Sequence, residues 1–546
     1  MNVRRSQAWS VAFARTVVTF APCGLAIAAG CAPHALPPPM LAPTPRPGGA
    51  VFAGGPPARL VLDQRALGVS PDGLLRYLVR AHFLDARGAP VELTSGGDVA
   101  FAVAATGKSG EAGAGAVGAS AQWQTRMRFG GPAAIVSLPP PIGNAPRIVT
   151  VHASVGVRLA DARIVLDPRA WRGPRAGAAA LGPHAVQLGW IEPAGAVTRP
   201  RSTVGGPMRI TRDDGRGPVT LGFVAAPGST FRDTTVRPGR RYRYRLVLPG
   251  ASPLEFAVAT PPEVAGAPLA RLAGKAMWLS FSPSTLDPDS YTHLDVAAIL
   301  ERARASGIRS IVLRVAYGPF WEVTADARPI IDALLDGAAA RGIAIVAWTV
   351  PRGTDADDLA NAARAAAYRS ARGTRFAALS LDLERGDEYL GSGTAGYAAL
   401  AAYPARLREA LGPRYPIVAT VEDPYFERLT NADVPYRAIA AEVDAIQPMA
   451  YWRMLSRRSV TPAAARRALR ASYAATRRAV GRDIPIDIGG QTAAEGPRGA
   501  PPPAELAAAV SEARALGAFG ITFFDWNGTT DAQWNALAKE PWRTSH

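Results

Sequence analysis

A chain of 546 residues with 48% hydrophobic content is long enough for about three domains, each able to bury a core. The net charge of +17 invites a nucleic-acid reading, but of 61 basic residues only Lys108, Lys275 and Lys539 are lysines. The arginines are scattered along helix faces and loops, as an Arg-biased coding sequence would leave them, so no phosphate-tracking patch and no nucleic-acid partner is expected.

At the N-terminus, Arg4, Arg5 and Arg15 precede an apolar stretch, Thr16 to Gly30, that is broken by Pro22 and too short to span a bilayer well. Residues 1–31 therefore read as a targeting segment. Its end, Ala28-Ala29-Gly30-Cys31, resembles the lipobox of bacterial lipoproteins. That resemblance implies an acylated Cys31 and a lipid anchor in a membrane of the cell envelope; an ordinary secretory signal cleaved nearby is the alternative, and in either case the protein is exported. Cys23 and Cys31 are the only cysteines, so once one leaves with the signal and the other carries lipid, the domains must hold by core packing alone.

Residues 32–57 hold nine prolines among small residues, the composition of an extended spacer. Residues 58–168 then alternate apolar and polar positions in Leu60-Val61-Leu62, Tyr77 to Phe83, Val99 to Val103, Ile148 to Val155 and Ile164 to Leu166, with Gly and Pro turns between them, which predicts a β-sandwich. The phrase from Val79 to Val91 resembles invasin-like immunoglobulin modules. A second β module is expected over residues 169–262, with a core Trp190 and the alternating Tyr242 and Tyr244 after the Pro238-Gly239 turn. The segment Phe231 to Arg245 resembles fibronectin type III domains, and both tyrosines are expected to pack rather than to bind. The two modules are assigned to spacing or sugar adhesion.

Residues 263–546 repeat a strand-then-helix unit every ~30 to 40 residues, the size of a βαβ unit. The predicted strands are Ala276 to Phe281, Ser310 to Val315, Ala344 to Val350, Ala377 to Leu383, Ile417 to Val421, Ala445 to Ala450, Ile484 to Gly489 and Gly520 to Phe524. Each is short and apolar, as a parallel strand buried on both faces requires. Helices are expected at Leu294 to Ser306, Ile330 to Arg341, Ala463 to Val480 and Pro503 to Leu516, with Gly307, Gly342, Gly481 and Gly517 as left-handed C-terminal stops. A count of eight, with no Gly-rich phosphate loop after the first strand, favours a (β/α)8 TIM barrel over an open sheet. The fold class is thus multidomain: a C-terminal barrel preceded by two all-β immunoglobulin-like sandwiches.

In such a barrel the chemistry sits where the strands end. Of six histidines, only His293 and His546 fall in the barrel region, so no His pair stands at metal-ligand spacing and neither a metal nor another cofactor is expected. No thiol nucleophile, Gly-x-Ser-x-Gly elbow or phosphate loop is left either. Carboxylates remain. Ser380, Asp382 and Glu384 point to one side of the fourth strand, Glu422 and Asp423 follow the fifth, and Asp525 closes the eighth. A carboxyl crowded by another in a dry pocket resists ionisation, as a general acid near neutral pH must. Glu384 is placed for that role. Gly489-Gly490-Gln491 offers no Glu at the end of strand seven, so a second-carboxylate nucleophile is missing there.

Leu381-Asp382-Leu383-Glu384, Met449-Ala450-Tyr451-Trp452 and Trp526 are together similar to the family 18 glycoside hydrolases, the chitinase-like enzymes. The resemblance implies Glu384 as acid, Asp382 as the assistant that orients a substrate acetamido group, Tyr451 as a contact to that group, and Trp526 as a sugar platform. The chain departs from the family at Ser380 and Trp452, where Asp is usual, and both changes remove carboxylate support. An Asp-x-Glu ending strand four also resembles family 25 lysozymes, and the whole region resembles uncharacterised glycoside-hydrolase-like barrels of bacterial lipoproteins.

Tyr317, Phe320 and Trp321 after strand two, Tyr425 and Phe426 after strand five, and Trp452 after strand six could rim a sugar cleft or seal the barrel top. Tyr317, Trp321, Trp452, Trp526, Glu422, Asp525 and Gln491 are taken as substrate-binding candidates. Trp278 and Trp348 lie within strands and are expected in the core. Asp382 and Glu384 could instead pair with Arg385 or Arg314, and Glu422 with a loop arginine. The expected activity is glycosidic-bond hydrolysis of a cell-wall or environmental polysaccharide, peptidoglycan glycan included, by a monomeric glycosidase. The alternative is a surface lipoprotein that binds glycan without cutting it.

Overall fold

The computed structural model describes residues 51–53, 58–95, 100–106, 120–124, 133–138, 147–155, 158–166, 175–191, 208–224, 230–247, 252–280, 295–325, 327–353, 356–386, 389–391, 393–426, 434–455, 461–494 and 498–542. The targeting segment, Cys31, His293 and most of the Pro-rich spacer lie outside the described residues. Among the described residues, no helix is long and apolar enough to cross a membrane.

Eight parallel strands form the C-terminal region: β1 Gly274–Leu279, β2 Ile308–Tyr317, β3 Ala344–Val350, β4 Leu379–Leu383, β5 Ile417–Val421, β6 Ala445–Pro448, β7 Asp487–Gln491 and β8 Gly520–Phe524. Each pairs with its sequence neighbour, β8 returns to β1, and two parallel bridges, Ile446 to Ile486 and Met449 to Gly489, close β6 onto β7. Helices alternate with the strands: α1 Val296–Ala305, α2 Arg328–Ala340, α3 Ala356–Ala367, α4 Gly393–Leu411, α5 Tyr436–Glu442, the short α6 Trp452–Leu455, α7 Pro462–Val480, α8 Pro503–Ala515 and α9 Asp531–Lys539. The four glycines expected to stop helices all have positive φ, from 64° to 67°.

Alternation sorts the strand residues into two cores. Leu379, Leu381 and Leu383 of β4 face the helices, in a large cluster shared with every other strand. Ala276, Trp278, Val312, Val346, Trp348, Ala378, Val418 and Ala445 fill the barrel interior. One layer of that interior is polar: Ser380, Thr420, Gln447, Asp487 and Thr522 form a belt, with Thr420 Oγ1 to Gln447 Oε1 at 2.7 Å and Thr522 Oγ1 to Asp487 Oδ2 at 2.6 Å.

Two antiparallel β regions precede the barrel. The first has a six-stranded and a three-stranded sheet; the second has sheets of three and four strands. Val51–Ala53, expected within the spacer, instead pairs with Pro90–Ser95, since Val51 and Phe52 are strand formers. Between the sheets of the second region Trp190, Tyr242 and Tyr244 are buried in one core. Tyr244 donates to Asp233 at 2.8 Å, so the two tyrosines pack as expected. Both regions meet barrel helices. Asp72 accepts the Ala356 N–H at the start of α3 at 2.6 Å, Arg76 pairs with Asp357, and Arg232 pairs with Glu409 of α4.

Candidate active site

The inward positions of β4 bring two carboxyls together. Asp382 is 7% exposed, and Glu384, just past the strand end, is half-buried. Register places Trp348 of β3 beside Ser380, and its indole reaches forward to donate to Asp382 Oδ2 at 3.2 Å. Among the described residues, no N–H or O–H reaches the buried Asp382 Oδ1. The carboxyl of Glu384 lies within hydrogen-bonding reach of Asp382. Two ionised carboxylates cannot bond, so Glu384 satisfies its neighbour only while it carries a proton.

Electrostatics push the same way. Burial, then the negative charges of Asp382 and Glu422, hold the Glu384 carboxyl well above its ordinary range, against a hydrogen bond from Tyr389. Asp382 rises to about 6 through burial, opposed by the Trp348 bond, by the contact with Glu384 and by the charge of Arg314. The two carboxyls therefore titrate as a pair, with Glu384 the one that holds its proton to higher pH.

Both expected arginines have other carboxylate partners. Arg314 is held by Glu322 through two bonds of 3.0 and 3.1 Å, both residues being buried. Arg385 pairs with Glu422 and donates to the Tyr397 hydroxyl at 2.9 Å. Each basic group beside the pair is thus already matched to another carboxylate.

Aromatic rings surround the pair. Phe524 sits 6.1 Å from Trp278, 6.4 Å from Trp348 and 6.2 Å from Tyr451. Tyr451 and Asp382 thus meet through one continuous set of rings. Tyr317 lies at its rim, with the Arg314 and Arg352 guanidinium groups 5.5 and 5.1 Å from its ring.

The other candidates are placed differently. Trp526 is half-buried and packs 4.7 Å from Trp534 of α9, on the helical side. Trp452 does not rim the cleft: it is 1% exposed in the helical layer, its indole bound to Glu505 at 2.9 Å. Trp321 likewise turns to the helices, under Arg364 at 4.4 Å, because it alternates with the inward Glu322. Gln491 is fully buried, and its amide oxygen accepts the Arg453 N–H at 3.0 Å, which spends it on the first turn of α6. Asp525 is half-buried, pushed up to about 6 by burial, and accepts the Gly528 N–H at 2.9 Å. Asp423 accepts the Tyr425 N–H at 2.8 Å.

Tyr389 and Phe524 are site residues that sequence reasoning missed, and Trp348, expected in the core, also touches the pair. The inward alternation of β3 and β8 is the signal that could have found Trp348 and Phe524. Among the described residues no group of His, Cys, Asp and Glu could hold a metal ion.

No family model matches the chain, and no curated protein matches it. Among solved structures, the chain is similar to the catalytic domain of a hyperthermophilic chitinase from Pyrococcus furiosus, at 13% identity and a TM-score of 0.36 over 50% of this chain and 95% of that one. It is also similar to a chitinase from Chromobacterium violaceum, at 13% identity and a TM-score of 0.33 over 49% and 98%. A third likeness is to the chitinase-like agglutinin of Robinia pseudoacacia, at 12% identity and a TM-score of 0.34 over 48% and 98%.

Proposed function

We propose that the chain is an exported glycoside hydrolase of a cell-wall or environmental polysaccharide, with Glu384 as the proton donor to the bridging oxygen. The observation that carries this reading is the contact between the buried Asp382 carboxyl and Glu384, in which Glu384 can donate only while it holds a proton. A carboxylic acid kept neutral at the C-terminal mouth of a barrel, ringed by aromatic faces, is what protonation of a sugar leaving group needs. As the leaving oxygen takes the proton, Asp382 loses its donor and Glu384 becomes an anion beside it. The pair is then restored by a proton from the attacking water.

Among the described residues, no second carboxylate stands ready as a nucleophile. Glu422 is tied to Arg385, Asp423 to a backbone N–H, and Asp525 to Gly528. A substrate that supplies its own nucleophile, such as the acetamido oxygen of an N-acetylated sugar, fits that lack. Asp382 would orient it and Tyr451 would contact it. Anchoring through Cys31 and adhesion by the β regions complete the proposal.

Glu384→Gln in the full chain tests it. Release of reducing ends from chitin oligomers and peptidoglycan glycan is expected to fall by about 10²- to 10⁴-fold, with glycan binding retained. A wild-type protein that binds these glycans without any turnover would replace the enzyme by the binding protein.

A further inference from the structure

Behind Asp382 stands a second row of groups with no counterpart on its own strand. Trp348 donates to Asp382 Oδ2, and Arg314 lies 5.5 Å from the Trp348 ring centroid. Glu322, next to the Phe320–Trp321 strand that folds back on β2, grips Arg314 at both ends of its guanidinium. All four side chains are buried, at 6–9% exposure. A planar guanidinium fixed by a bidentate carboxylate is a rigid wall, and an indole against it loses the freedom to turn its N–H elsewhere. The edge-on ring of Phe524, at 89°, closes the other side.

We propose that Trp348, backed by the Glu322–Arg314 pair, is the positioning residue that holds Asp382 as the proton-sharing partner of Glu384. This rests on the reading of Glu384 as proton donor. One oxygen of Asp382 is fixed by the indole, which sets the orientation in which the carboxyl meets Glu384. Without the indole, Asp382 can rotate, and its charge loses a donor in a dry site. Among the described residues, the charged and titratable groups that act on the pair are Arg314 on β2, Glu422 beyond β5 and Tyr389 in the loop after β4.

Trp348→Phe keeps a ring and removes the N–H. In the full chain, kcat on aryl glycosides of N-acetylglucosamine oligomers is expected to drop about tenfold, with KM little changed. The acid limb of kcat should move to higher pH by about one unit, because Asp382 ionises less readily. Trp278→Phe, a packing change in the same interior, should soften the fold without moving that limb. A Trp348→Phe limb that stays in place overturns the proposal. Arg314→Lys, which keeps the charge but not the two-point grip, should shift the limb in the same direction by less.

In the wild-type protein, the Trp348 indole N–H resonance is expected to titrate with the acid limb, and an invariant resonance would also overturn the assignment. That spectrum needs neither turnover nor a folded variant. A protein that proves inactive but shows the titration loses the hydrolase reading and keeps Trp348 in place.

Discussion

At the N-terminal end of the barrel, Lys275 is wholly buried, yet its ammonium donates to the carbonyls of Ser306 and Leu537. Asp444 there accepts from Arg408 and from the Ile417 N–H, at 2.7 and 2.8 Å. At the C-terminal end, Asp382 keeps a buried oxygen without a hydrogen-bond partner among the described residues, and both Glu384 and Asp525 are pushed up by burial. Lys275 and Asp444 thus have their polar partners where strands begin, and Asp382 lacks one where they end. The incomplete end is where a substrate would meet a proton.

Changes at the two ends should therefore separate stability from activity. Lys275→Ala leaves a cavity and two buried carbonyls without a donor, so a loss of about 3 kcal/mol or more is expected. The surviving folded fraction should keep its kcat. Denaturant unfolding paired with kcat measured well below the midpoint checks both halves, and a large kcat loss would break the division between the ends.

Glu422→Gln acts at the other end and should leave stability nearly unchanged. It removes a negative charge that holds the Glu384 proton on. The alkaline limb of the pH profile, where Glu384 deprotonates, should then move to lower pH by up to about one unit. An unmoved limb would mean that Glu422 is fully neutralised by Arg385.

Asp487 lies between the ends and sharpens the comparison with the smallest effect. Its Oδ2 accepts from Gln447 and Thr522, its Oδ1 is buried without a partner among the described residues, and burial pushes it up to about 7. A carboxyl raised above its unfolded value costs nothing below about pH 4 and most above about pH 7. Asp487→Asn should accordingly raise Tm at pH 8 and leave it alike at pH 4.

Much of this architecture was legible in the chain. Ala344–Val350, Ile417–Val421 and Gly520–Phe524 have the expected bounds, because a strand buried on both faces is an unbroken apolar run. β7 starts three residues later than expected. Its apolar run, Ile484-Pro485-Ile486, precedes the strand, while the strand itself carries a belt carboxylate and two glycines. Those glycines answer to close neighbours: a Cβ at Gly489 would meet the Pro448 carbonyl at 2.8 Å, and one at Gly490 would meet the Phe523 ring at 3.0 Å.

The pairing of Asp382 with Glu384 was readable from alternation on β4. The partners of Arg314 and Arg385 were not. Glu322 reaches Arg314 only because Phe320–Trp321 folds back on β2, and Glu422 reaches Arg385 only across the β4–β5 register. The same limit hid Trp348. Its place beside Ser380 is a property of two strands together, and an indole in an apolar run reads as packing.

If Glu384 delivers a proton to the departing oxygen, its loss must hurt most where the leaving group needs that proton. Glu384→Ala and wild type would be compared on aryl glycosides whose phenols span a wide range of acidity. A proton donor requires a large deficit for poorly acidic phenols that shrinks towards nothing for nitrophenols, which leave unaided. An equal deficit across the series would contradict the account and leave the residue a role in shape alone.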